Sequence, residues 1–143
     1  MRHALIGLLC LNLFMLACAG SSATPFLASA RTDKTTFFVE NHGKDSRQIE
    51  QIIVEAMRAR GIQATSGDQK QAPADTDFII TYEDRWAWDM RTYLRLIQID
   101  IRDPKTGAIV ATSRSHQTSL PSLGNTYQEI IQRTTDRLFE PNP

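Results

Sequence analysis

Chemistry in this chain would have to come from few residues. The sequence holds only His3, His42, His116, Cys10 and Cys18 of the side chains that most often act as nucleophile, base or soft metal ligand. His42 follows Glu40 at a spacing that puts imidazole and carboxylate on one side of a continued strand. Such a pair could begin a zinc site, with Asp84 or His116 as a distant third ligand. No H-E-x-x-H or similar spacing supports it, so no metal site and no cofactor are expected. A Ser/His/Asp hydrolase would have to use His116, and no serine sits in a G-x-S-x-G elbow. Glu83 and Asp84 are neighbours whose side chains leave a strand on opposite faces, so they cannot form a close acid–base pair. The isolated glycines make no phosphate-cradling loop. No catalytic residues are assigned, and the chain reads as a non-enzyme.

Two features remain. The first is Arg85-Trp86-Ala87-Trp88-Asp89-Met90-Arg91. Two Trp on one strand face, flanked by Arg85 and Arg91 and followed by Met90, have the composition of a binding hot spot. Trp also suits a membrane interface, where one end of the ring stays wet. The alternative is that both rings cover the helix ends and complete the core. The second feature is Cys18, which ends an apolar run from Ala4 to Leu16 behind Arg2 and His3. That run is shorter than the roughly 20 residues needed to span a bilayer, and it fits a secretory h-region.

The segment resembles a bacterial lipoprotein signal peptide ending in a lipobox. In that reading cleavage falls after the small Ala17, and the Cys18 thiol accepts a diacylglyceryl group as a thioether. Met15 and Leu16 depart from the usual pattern. In the other reading Ala17-Cys18-Ala19 is an ordinary A-x-A site and the mature chain starts at Gly20. The resemblance implies an outer-membrane anchor facing the periplasm; the ordinary cut implies a soluble periplasmic protein. No Cys follows Cys18, so the folded domain has neither a disulfide nor a thiolate metal site.

The expected organisation is a signal peptide over 1–17, a flexible tether over 18–33 and one periplasmic domain over 34–143. A tether of that length spans about 20 Å. Phe26 and Leu27 are its only large apolar residues, able to pack loosely on the domain or dip toward lipid. Sixteen Lys and Arg balance sixteen Asp and Glu, interspersed, and nothing in that balance suggests a nucleic-acid partner.

Within the domain, Thr35 to Glu40 is β-branched and aromatic and reads as a strand. Ile49, Ile52, Ile53, Ala56 and Met57 recur at helical spacing, with Asp45 or Ser46 as candidate cap, Gln48 within reach of a capping box and Gly61 as left-handed terminator. Ile62 to Thr65 offers a short strand, and Ser66 to Ala74 a polar loop. Asp77 to Trp88 alternates, placing Phe78, Ile80, Tyr82, Trp86 and Trp88 on one face. Asp84 interrupts that face and needs a partner, for which Arg95 is available. Tyr93 to Arg102 puts Ile97, Ile99 and Ile101 on one side and Leu94 and Leu96 on the other. Asp103-Pro104-Lys105-Thr106-Gly107 should turn into a strand over Ala108 to Gln117. Thr126 and Glu129 box the start of a helix with Tyr127, Ile130, Ile131, Thr134 and Leu138 as its stripe. The fold class is therefore α+β: a mostly antiparallel four- to five-stranded sheet with two helices on one face.

Several of these phrases resemble a group of small bacterial envelope lipoproteins classed as a domain of unknown function. They are the Cys18 lipobox, Arg60-Gly61-Ile62 after the first helix, Asp75 through Tyr82, and the hairpin from Ile99 to Val110. Ala111 stands where that group often has Trp. The resemblance implies a fold and a location but no activity. The anchor, the tether, the small domain and the missing catalytic set favour a non-enzymatic lipoprotein held to the membrane by an N-terminal lipid, binding another envelope protein or supporting an envelope complex. The alternatives are a carrier or sensor of a small apolar ligand, with Phe78, Ile80, Trp86 or Trp88 around a cavity, and less favourably a hydrolase or metal-dependent enzyme.

Overall fold

Apolar residues at three- and four-residue spacing make one buried stripe of Ile49, Ile53, Ala56 and Met57 on helix α1 (Ile49–Ala59). The computed structural model describes residues 20–26, 34–43, 46–118 and 126–140. α1 ends as its glycine predicts: Gly61 has a φ of 74°, its N–H donates to the Arg58 carbonyl, and the Ile62 N–H donates to the Met57 carbonyl. Those paired bonds satisfy carbonyls the helix would leave open. Its start differs from the expected cap. Gln48 occupies the N-cap in a left-handed conformation with no side-chain cap, and its carbonyl receives the Gln51 and Ile52 N–H groups. Ser46 is thereby displaced from the capping position, and Asp45 lies outside the described residues.

Helix α2 (Tyr127–Arg137) has the expected capping box, with the Thr126 hydroxyl accepting from the Glu129 N–H and the Glu129 carboxylate accepting from the Thr126 N–H. Arg60 ties the end of α1 to α2 through Asp136 at 2.8 Å and Glu140 at 3.2 Å. The two helices pack on each other and on the sheet.

The sheet has six strands in the order β1-β6-β5-β4-β2-β3. These are β1 (Gly20–Thr24), β2 (Thr36–Asn41), β3 (Gln63–Asp68), β4 (Phe78–Asp89), β5 (Arg91–Arg102) and β6 (Ile109–His116). β2 pairs in parallel with both β3 and β4, and the remaining pairings are antiparallel. The α1 crossover supplies the parallel β2–β3 connection. The sheet is thus mixed and one or two strands larger than expected. The polar segment after Thr65 continues β3 and then makes a short 3-10 turn at Gln69–Gln71.

The β5–β6 turn is closed by its own first residue. The Asp103 carboxylate accepts the Lys105 and Thr106 N–H groups, and Gly107 takes a φ of 70°. The Thr106 and then the Lys105 backbone N–H bonds hold the Asp103 carboxyl below its ordinary value.

The face expected to carry both Leu94 and Leu96 is broken. Arg85 pairs with Leu96 but Trp86 pairs with Leu94, so Arg95 is an extra residue in β5. That bulge turns Leu94 back to the side of Ile97, where it joins the core, while Leu96 stays outside the core cluster.

The largest departure lies in the segment read as a tether. Its described part is fixed in the fold: Gly20–Thr24 pairs along β6 from His116 to Thr112, and Phe26 is 7% exposed. The Phe26 ring meets Phe37, Phe78 and Phe139 edge-on, with centroids 4.9–6.3 Å apart, and its N–H donates to the Leu138 carbonyl at 2.6 Å. A flexible segment has no reason to bury an aromatic ring among three others; this one completes the core. Residues 18, 19 and 27–33 lie outside the described residues. Phe26→Ala should destabilise the domain by about 3 kcal/mol in urea unfolding, whereas a loosely resting ring would give a change below about 0.5 kcal/mol.

Candidate functional site

β4 and β5 are each twelve residues long, and their neighbours are not. β2 accompanies β4 only from Phe78 to Ile80, and β6 accompanies β5 only down to Leu96. From Trp86 to Arg95 the hairpin is a two-stranded arm. Leu96 is five positions along the strand from Arg91, so the arm overhangs the sheet by about 17 Å. Its tip is tight: Asp89 pairs with Arg91, and Met90 between them takes a φ of 59°.

Burial along the core-side face of β4 falls toward this tip. Ile80 and Tyr82 are buried, Asp84 and Trp86 half-buried, and Trp88 is 76% exposed. Met90 is 89% exposed. The two Trp therefore have different environments. The Trp86 ring stands edge-on to Tyr127 of α2 at 5.5 Å, and the Arg47 guanidinium lies 3.8 Å from its centroid. Its indole N–H donates to the Asp84 carboxylate. The polar tip and the apolar ring of Trp86 are thus both satisfied. Arg95 was available as a partner for Asp84; the Asp84 carboxylate accepts from Trp86 instead, and Arg95 is the extra residue of the bulge. Arg85 pairs with Glu83 at 2.7 Å on the other side of the strand. Arg91 is exposed beside the tip.

The arm thus presents Trp88, Met90 and Arg91 to solvent, while Trp86 belongs to the support beneath them. The sequence places Tyr127 on the stripe of α2 but does not disclose that it, with Arg47, covers Trp86. They lie far from Trp86 along the chain, and no local pattern links them. Cys18 lies outside the described residues, and the first described residue of the N-terminal segment is Gly20 of β1. Gly20 pairs with His116, which pairs with Leu96, so the N-terminal end of β1 and the arm lie at the same end of the sheet.

The histidines do not converge. His42 Nε2 lies 2.8 Å from the Tyr82 carbonyl, with its ring against Tyr82 beside β4. His116 ends β6, on the far side of β5 from β4. Among the described residues no three His, Cys, Asp or Glu side chains gather as metal ligands. Phe78 and Ile80 belong to the packed core, Trp86 is covered by Tyr127 and Arg47, and Trp88 stands in solvent, so the four do not surround one cavity. An open groove of about 530 Å³ lies at the opposite end of the sheet, between Thr36, Arg58, Gly61, Gln63, Pro73 and Asp75. No described helix is long and apolar enough to cross a membrane.

Architecture and arm define an α+β domain with helices on a mixed sheet and a projecting hairpin. No family model and no curated protein matches the chain. Solved structures of similar fold include the PelC dodecamer of Paraburkholderia phytofirmans in two crystal forms. One, a point variant, aligns with a TM-score of 0.58 at 11% identity over 85% of this chain and 95% of that one. The other aligns with a TM-score of 0.56 at 14% identity over 85% and 94%. At such identity the likeness is one of fold.

The two Trp should separate cleanly on mutation. Trp86→Ala should lower stability by about 2 kcal/mol in thermal unfolding through loss of the ring and its partners. Trp88→Ala should leave stability within about 0.5 kcal/mol of the parent.

Proposed function

We propose that this chain is a non-enzymatic, lipid-anchored envelope lipoprotein of the outer membrane's periplasmic face, of the kind its short motifs resemble. Its projecting arm docks a partner protein and so supports an envelope complex. The observation that carries the reading is the shared end of Gly20 and the arm. An acyl chain on Cys18 would lie two residues from Gly20, a span of at most about 7 Å. The exposed Trp88 and Met90 lie at that same end, so their partner would sit beside the membrane surface. Aromatic and Met side chains on a rigid support lose little entropy on binding and bury large apolar area.

The first partner to test is a second copy of this chain, since the two PelC structures of similar fold are dodecamers. A second reading, a small-ligand carrier, draws on the groove at the far end of the sheet, which is well separated from the arm.

Two experiments test the reading. Palmitate labelling in the native host should be present in the parent and absent in Cys18→Ser; labelling of neither would favour the ordinary cut before Gly20. Sedimentation of the detergent-purified protein should show an assembly that Trp88→Ala with Met90→Ser weakens at least about tenfold, the size of effect expected of hot-spot residues, with an unchanged melting temperature. Loss of vesicle binding alone, with no change in assembly, would replace the protein partner by a lipid surface.

A further inference from the structure

A second site lies where α2 crosses the end of the β1–β6 pair. On β6, Ser113 and Ser115 are buried, while Arg114 between them faces outward. Ser21 of β1 pairs with Ser115. On α2, Ile130, Arg133 and Arg137 follow at spacings of three and four and form one stripe. Between strands and stripe is a pocket of about 200 Å³ lined by Gly20, Ser21, Ser115, Gln117, Arg133 and Arg137, with Ile130 at its side.

The chemistry of this lining is one-sided. Two guanidinium groups, two hydroxyls and an amide face it, and no carboxylate does. Arg60 and Arg85 are each neutralised by a carboxylate elsewhere in the fold. Arg137 Nη1 is instead buried with no hydrogen-bond acceptor among the described residues. The Ser113 hydroxyl, one step along the same strand face, is likewise buried and unpaired. A buried donor without an acceptor is costly, most of all on a charged group. The Arg133 Nε–H donates to the Glu129 carbonyl at 3.2 Å, which helps set its side chain along the helix.

A buried, unpaired guanidinium nitrogen of Arg137, beside a small volume also lined by Arg133, Ser21 and Ser115, calls for an oxyanion. A planar guanidinium fork matches two oxygens of a phosphate, and hydroxyls can take the others. We propose that this pocket binds a phosphate group, with Arg137 as the principal ligand and Arg133, Ser21 and Ser115 completing the cradle. The group could be free phosphate or the phosphate of a lipid head group, since the pocket includes Gly20 at the N-terminal end of β1. The site itself does not depend on lipid attachment at Cys18.

The test is thermal unfolding of the detergent-purified protein against inorganic phosphate, at constant ionic strength made up with chloride. The melting temperature should rise and saturate in the parent. It should not respond in Arg137→Gln, and Arg133→Gln should need roughly tenfold more phosphate, as expected for loss of one charged hydrogen bond. Without phosphate, Arg137→Gln should melt no lower than the parent, because the unpaired buried donor is gone. Ser115→Ala, with weaker phosphate dependence expected, keeps the test decisive if Arg137→Gln fails to fold. Micelles carrying phosphatidic acid, compared with micelles carrying diacylglycerol, separate the sources. A rise with phosphatidic acid alone assigns the lipid head group, and a rise with inorganic phosphate alone assigns the free ion. No response to either phosphate source, or an equal response in the parent and Arg137→Gln, would overturn the proposal.

Discussion

Two twelve-residue strands paired with each other cannot be covered along their length by neighbours of six and eight residues. Beyond Leu96 the β4–β5 hairpin has lost both flanking strands, and every side chain there must find cover elsewhere or stand in water. Near the sheet, cover comes from α2 and from the loop before α1: Tyr127 and Arg47 close over Trp86, and Asp84 takes its indole N–H. Two positions further on, Trp88 is left 76% exposed. The arm is therefore graded, rigid at its base and open at its tip, and the grading follows from strand length.

Away from the helices, the sheet handles its partly buried polar groups by mutual pairing. Asp100 is buried on β5, and its carboxylate accepts from Thr112 at 2.6 Å, from Gln98 at 3.1 and 3.2 Å, and from Arg102 at 3.4 Å. Arg102 also reaches the Thr81 hydroxyl at 3.0 Å. This ladder joins β4, β5 and β6, and each member supplies what the next lacks. The Arg137–Arg133 pocket is the reverse case, a collection of donors with no acid among them.

What the sequence discloses here depends on how local the cause is. Gly61, the Thr126–Glu129 box and the Asp103 turn each act within a few residues, and they are legible from the chain alone. So is the alternation of β4 from Phe78 to Trp88, because nothing interrupts that strand. The bulge at Arg95 is not legible, since it exists only in the pairing with β4, and it moves Leu94 to the face opposite the one alternation assigns. Alternation also puts both Trp on one face. Which of them is covered depends on Arg47 and Tyr127, groups remote in sequence. The donor pocket joins three elements, so no single stretch announces it.

β1 shows the same dependence at its furthest. Its five residues, Gly-Ser-Ser-Ala-Thr, are small and exposed, so neither face distinguishes one alignment on β6 from the next. A strand of this composition is free to slip by a residue. Phe26 removes that freedom from outside the strand. Its ring fits among Phe37, Phe78 and Phe139 in one position, and a slip would pull it out. The aromatic pocket thus acts as a pawl on a featureless ribbon. The alignment of Gly20 with His116, at the first described residue of the strand, is set by a side chain six residues downstream.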